Sequence, residues 1–155
     1  GTSTLAQTLC DEGWSDVTAL DFSEVAVKRG LEMEPSVNWM VGDARRLDEN
    51  FEGAAFGAVV DKGTVDALIS GDAAAATEAC AAAGRVLKRG GRFVVVSHRR
   101  PDGDDAWLEA VLAGLAEVDA AWRVDAHASA GPAVYVFTKR RSACRDVELV
   151  VHEYG

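Results

Sequence analysis

Three aspartates stand where short apolar runs stop: Asp21 after residues 17–20, Asp43 just beyond residues 37–41, and Asp61 after residues 56–60. An ionised carboxylate only accepts hydrogen bonds. It can take both hydroxyls of a vicinal diol or the two N–H donors of an exocyclic amine. Aspartate is poor in strands and good in turns, so any one of the three is explained by the turn it makes. Three at matching positions form an acidic rim of acceptors along one sheet edge. In open α/β sheets that edge, beyond the carboxyl ends of the strands, is where ligands bind.

The remaining elements are those needed to hold such a rim. Gly1-Thr2-Ser3-Thr4 leads into a helical spacing of Leu5, Ala6 and Leu9, a start suited to facing a phosphate or carboxylate, and Gly13 closes that helix. Asp21 follows the glycine turn by about 20 residues, the interval at which nucleotide-binding folds hold ribose hydroxyls. Ser23 opens a second helix through Val25, Val27 and Leu31. The run 56–60 shows no alternation and reads as a strand buried on both faces, ended by Asp61-Lys62-Gly63-Thr64. Residues 73–88 read as a long helix closed by Gly90-Gly91, and 92–97 as a central strand. Residues 104–118 form a helix with Trp107 in its core stripe. Segments 122–128 and 133–138 are joined by Ala130-Gly131-Pro132, too short for a crossover helix, so they pair antiparallel.

Length and charge narrow the function. A chain of 155 residues is one domain by size, residues 1–141 here, with a tail at 142–155 that could add an edge strand. The formal charge of −9 argues against sequence-independent binding to nucleic acid or to an anionic membrane, and suits a basic protein partner. No apolar run reaches the roughly 20 residues of a membrane span. Cys10, Cys80 and Cys144 are far apart and contain no Cys-x-x-Cys, which fits reduced thiols in a cytoplasmic protein. His98, His127 and His152 lack metal-ligand spacing, so no metal is expected.

Taken together, the glycine turn, Asp21, Gly42-Asp43-Ala44, Asp61-Lys62-Gly63-Thr64-Val65-Asp66-Ala67-Leu68, the Gly-Arg-Val-Leu-Lys-Arg-Gly-Gly-Arg-Phe run at 84–93 and the terminal hairpin resemble the class I, seven-strand S-adenosylmethionine-dependent methyltransferases. The Asp-Lys-Gly-Thr signature is similar to the branch that methylates lysine or N-terminal amines of translation elongation factor 1A. The resemblance implies an α/β, Rossmann-like, mostly parallel sheet with helices on both faces and a C-terminal antiparallel hairpin. It also implies that the first strand, which in the family runs into Gly-x-Gly, is missing ahead of Gly1, together with a preceding helix.

Residue by residue, the resemblance gives Gly1 to the methionine moiety, Asp21 to the ribose hydroxyls and Phe22 to the adenine face. Asp43 and Ala44 meet the adenine amine and ring. Asp61 and Lys62 line the methionine end and the substrate entrance. The cofactor is S-adenosylmethionine and the partner a protein substrate. No general base is assigned, because an acidic rim raises rather than lowers an amine's pKa. The residues leave open a small-molecule acceptor, and a fragment that binds no cofactor. A nicotinamide dehydrogenase shares Asp21 but accounts for neither the Asp61 signature nor the end hairpin.

Overall fold

The computed structural model describes residues 3–103, 105–128, 130–140 and 147–153. The chain divides into two compact units, residues 1–44 and 45–155. Gly1 and Cys144 lie outside the described residues.

In the N-terminal unit, α1 (Leu5–Asp11) precedes β1 (Thr18–Asp21), α2 (Glu24–Met33) and β2 (Asn38–Val41). The two strands are parallel, with Asp21 opposite Val41. The Ser23 hydroxyl accepts the Ala26 N–H at 3.3 Å and caps α2, as a serine at this position should. Gly30 is required by packing: a Cβ there would fall 2.2 Å from the Trp39 ring, so only glycine lets α2 lie this close to β2.

A 3-10 turn at Ala44–Arg46 crosses the boundary, and the C-terminal unit continues with α3 (Leu47–Asn50) and β3 (Phe56–Lys62). Then come α4 (Thr64–Gly71), α5 (Ala73–Val86), β4 (Leu87–Ser97), α6 (Asp105–Ala116), β5 (Ala121–Ala128), β6 (Ala133–Arg140) and β7 (Val147–Glu153). The five strands form one mixed sheet in the order β3-β4-β6-β5-β7. The β3–β4 and β5–β7 pairs are parallel. The β4–β6 and β5–β6 pairs are antiparallel, the latter being the hairpin expected from the short Gly-Pro connection. The carboxyl ends of β3, β4, β5 and β7 therefore share one edge. Helices α4, α5 and α6 pack around a core of Val95, Trp107, Val111, Leu115, Trp122, Val124, Tyr135 and Phe137. Each such side chain contributes on the order of 1.5–3 kcal/mol by leaving water.

Two boundaries differ from the sequence expectation. Asp61 and Lys62 are inside β3 rather than after it. Helix α5 stops at Val86, and β4 starts at once with Leu87 in extended backbone. Gly90-Gly91 is therefore not the cap of α5. It lies in an irregular stretch of the ladder, where pairing steps from Phe56↔Leu87 to Ala58↔Arg92. With no left-handed cap, α5 would leave carbonyls unpaired at its end. The buried Lys139 amine supplies the partners, donating to Gly84 O at 2.7 Å and Leu87 O at 2.8 Å.

Candidate active site

In the N-terminal unit the parallel pairing of β1 and β2 brings four of the sequence candidates to one edge. Gly42 N–H donates to Asp21 O at 3.0 Å, so the Asp21-Phe22 and Asp43-Ala44 turns leave the strands side by side. Asp21 Oδ1 accepts the Ser23 N–H at 2.9 Å, which orients the carboxylate at the start of α2. Asp43 and Ala44 are half-buried. Phe22 is 85% exposed. Carboxylate acceptors on neighbouring turns beside an exposed aromatic ring make an acceptor-and-stacking set that fits a nucleoside: acceptors for hydroxyls and an amine, and a flat apolar plate for a base.

In the C-terminal unit Asp61 and Lys62 end β3 opposite Val95 and Val96 of β4. Gly63 follows with φ of +84°, a left-handed conformation that disfavours any residue with a Cβ, and starts α4. Both Asp61 oxygens are engaged in this turn: Oδ1 accepts Thr64 N–H and Oδ2 accepts Val65 N–H, each at 3.2 Å. Burial pushes the Asp61 carboxyl above the usual range, and the Asp66 charge adds to this; the Val65 and Thr64 hydrogen bonds pull the other way. Lys62 is exposed. Cys80 is no nucleophile: burial, then the Asp61 charge, push its thiol up to about 12.

Sequence reasoning passed over Asp66. Its Oδ1 accepts from Ser97 Oγ at 2.6 Å and from Trp107 Nε1 at 3.0 Å, and its Oδ2 accepts from His98 N–H at 3.0 Å. One half-buried carboxylate thus ties α4 to the end of β4 and to α6. The only sequence signal was its place inside the Asp-Lys-Gly-Thr-Val-Asp-Ala-Leu run.

Among the described residues there is no group of three or more His, Cys, Asp or Glu side chains that could hold a metal. No described helix is long and apolar enough to cross a membrane.

Residues 1–95 match the family model described as "Methyltransferase domain". The "eEF1A lysine and N-terminal methyltransferase" of Xenopus laevis is 36% identical over 105 residues, which is 63% of this chain and 15% of that protein. The "EEF1A lysine methyltransferase 4" of Mus musculus is 30% identical over 115 residues, 65% of this chain and 44% of that protein. The matched segment thus spans about one seventh of the first relative and a little under half of the second. Among solved structures, the PH0226 protein of Pyrococcus horikoshii superposes with a TM-score of 0.69 at 17% identity, covering 91% of this chain and 78% of that one. A TehB-like SAM-dependent methyltransferase of Corynebacterium glutamicum gives 0.64 at 17% identity, covering 88% and 74%. At these identities the structural likeness shows the fold, and the match over residues 1–95 shows the family. The chain belongs to the methyltransferase-domain family, the Rossmann-like class I S-adenosylmethionine-dependent methyltransferases.

Proposed function

We propose that the chain forms part of a cytoplasmic enzyme that moves a methyl group from S-adenosylmethionine to a lysine side chain or N-terminal amine of a protein such as elongation factor 1A. The observation that carries this reading is the similarity, at 36% identity over 105 residues, to a relative named for that substrate. The acidic balance of −9 supports a basic protein acceptor.

The residues divide the work as follows. Asp21 accepts from the ribose hydroxyls, held in orientation by the Ser23 N–H. The Phe22 ring packs on the adenine, and Asp43 with Ala44 meets the adenine amine and ring. Asp61 shapes the turn into α4 through Thr64 N–H and Val65 N–H, and with Lys62 and Gly1 is assigned to the methionine end. When bound, the cofactor supplies a methyl group on a sulfonium, which leaves as a neutral thioether and so needs no covalent nucleophile. What is left to the protein is orientation and exclusion of water. The carboxylates of Asp61 and Asp66 raise a nearby amine's pKa, so neither is given the role of deprotonating it.

The test is mass spectrometry of elongation factor 1A after incubation with the full-length protein and isotopically labelled S-adenosylmethionine. Labelled methyl groups on a lysine or the N-terminal amine are expected. Failure to label any amine would sink the reading.

A further inference from the structure

The turn after β4 is held far more firmly than an exposed turn needs to be. Its backbone is gripped from three elements. Asp66 of α4 accepts His98 N–H at 3.0 Å. The fully buried Ser97 hydroxyl accepts Arg99 N–H at 2.9 Å while donating to Asp66 at 2.6 Å. Tyr135 of β6 donates its hydroxyl to Arg99 O at 2.9 Å, and its ring packs against Trp107, tilted by 40° with centroids 4.6 Å apart. Trp107 in turn donates to Asp66 at 3.0 Å. The network is closed, with each buried polar group serving as partner to another, which is the condition for it to rigidify rather than destabilise.

What the network fixes is exposed. His98 and Arg100 present their side chains to solvent at the carboxyl end of β4. That end lies next to the Asp61-Lys62 end of β3, since Lys62 pairs with Val96. On its other side the turn walls a groove of about 280 Å³, where Arg100, Pro101 and Asp102 meet Ala128 of β5 and Val151 of β7. Arg100 and Asp102 face each other across 3.5 Å. A stability role alone would account for the buried bonds among Asp66, Ser97 and Trp107. It does not account for spending an aspartate, a serine and a tyrosine on the backbone of His98 and Arg99, in a turn that presents His98 and Arg100 to solvent.

We infer that Asp66 is a positioning residue for the acceptor polypeptide: through Ser97, His98 and Arg99 it holds the His98–Asp102 turn as a rigid wall of the acceptor subsite. This rests on the reading of the chain as a protein methyltransferase. Asp66 acts through the turn and touches neither the cofactor nor the transferred methyl group.

The experiment uses the full-length protein with Asp66→Asn, Arg100→Ala and the two combined. Replacing the carboxylate by an amide puts an N–H₂ against either His98 N–H or the Ser97 and Trp107 donors, so one arm of the network must open. For Asp66→Asn, kcat/KM for the protein acceptor should fall on the order of ten- to a hundredfold, the cost of misplacing a substrate by about an ångström, while the dissociation constant of S-adenosylhomocysteine stays within about twofold. Arg100→Ala, an exposed change, should lower the same kcat/KM without changing folding. The combined loss should be smaller than the product of the two, because both act through one turn. Amide hydrogen exchange at His98 and Arg99 should speed up in Asp66→Asn. Unchanged exchange there, an unchanged kcat/KM, or a parallel loss of cofactor affinity would each overturn the positioning role. A wild-type protein that labels no amine would instead overturn the functional reading beneath it.

Discussion

In the C-terminal unit Trp107, Trp122, Tyr135 and Phe137 are almost wholly covered, whereas in the N-terminal unit Trp14, Phe22, Val25 and Met33 are 58%, 85%, 80% and 70% exposed. Among the described residues of the N-terminal unit, the buried apolar side chains are Val27 and Val37. Stability therefore resides in the five-stranded unit, where hydrophobic burial is extensive. The smaller unit carries Asp21, Phe22, Asp43 and Ala44, the residues proposed above to meet the cofactor, on a two-stranded frame. The contrast is thus between side chains that pack and exposed side chains proposed to bind, and it can be broken by mutation.

The largest effect is expected in the C-terminal core. Trp122 is 2% exposed and its Nε1 donates to Leu115 O at 3.0 Å. Trp122→Ala removes the ring and one of the two donors to that carbonyl, which Val118 N–H still reaches at 3.2 Å, at a cost of about 3–5 kcal/mol dominated by the lost packing. Urea denaturation should show the midpoint falling steeply at a nearly constant slope. A loss near zero would mean that the sheet-on-helix core is not the main source of stability.

The next effect is on binding and should leave stability untouched. Phe22→Ala removes a ring that contacts solvent on most of its surface. The melting temperature should scarcely move, as for most surface substitutions. Affinity for S-adenosylhomocysteine should fall by about 1–3 kcal/mol, the usual worth of stacking a base on an aromatic side chain. Calorimetric titration measures the one and thermal denaturation the other. If Phe22→Ala lowered stability as Trp122→Ala does, the division between packing and binding residues would fail.

How much of this was visible beforehand follows from the range of the interactions. The strand-end positions of Asp21 and Asp61 and the antiparallel hairpin were legible because each depends on adjacent residues: an apolar run, a turn former, a connection too short for a helix. The start of β4 at Leu87 was not legible. Two glycines after a helix read equally as its cap or as a break in a strand, and what decides is pairing with Phe56 and Ala58, some thirty residues away. Asp66 was missed for the same reason. Its partners Ser97, His98 and Trp107 lie 31, 32 and 41 residues on, and nothing in its local pattern distinguishes it from an ordinary first-turn acid. The pairing of β7 with β5 is equally non-local. The sequence motif marked the right segment, but the structure was needed to show which of its carboxylates faces inward to its own fold.

The smallest effect concerns the β5–β7 edge of the C-terminal unit, where a cluster of charged side chains lies along the backbone ladder. Asp125 accepts two hydrogen bonds from Arg123, both at 2.8 Å, and lies 3.3 Å from His152 Nε2, while His152 stacks on His127 with centroids 4.8 Å apart. The Arg123 hydrogen bonds hold the Asp125 carboxyl down at about 2 against the upward push of burial, with smaller downward contributions from the His152 hydrogen bond and from the Arg123 and His152 charges. Because this is below the ordinary aspartate value of about 3.9, the unfolded chain binds the proton more readily than the folded one between those values. The stability that Asp125 contributes is therefore fully present above about pH 4 and is lost as pH falls through about 2. The Asp125→Asn variant should melt below wild type at neutral pH, and the gap should narrow on acidification into that window. High salt should narrow it too, since the group is within reach of counter-ions. A gap that stayed constant with both pH and salt would mean that β7 is held to β5 by backbone pairing and shape alone, and that the charges on this face are incidental to the edge.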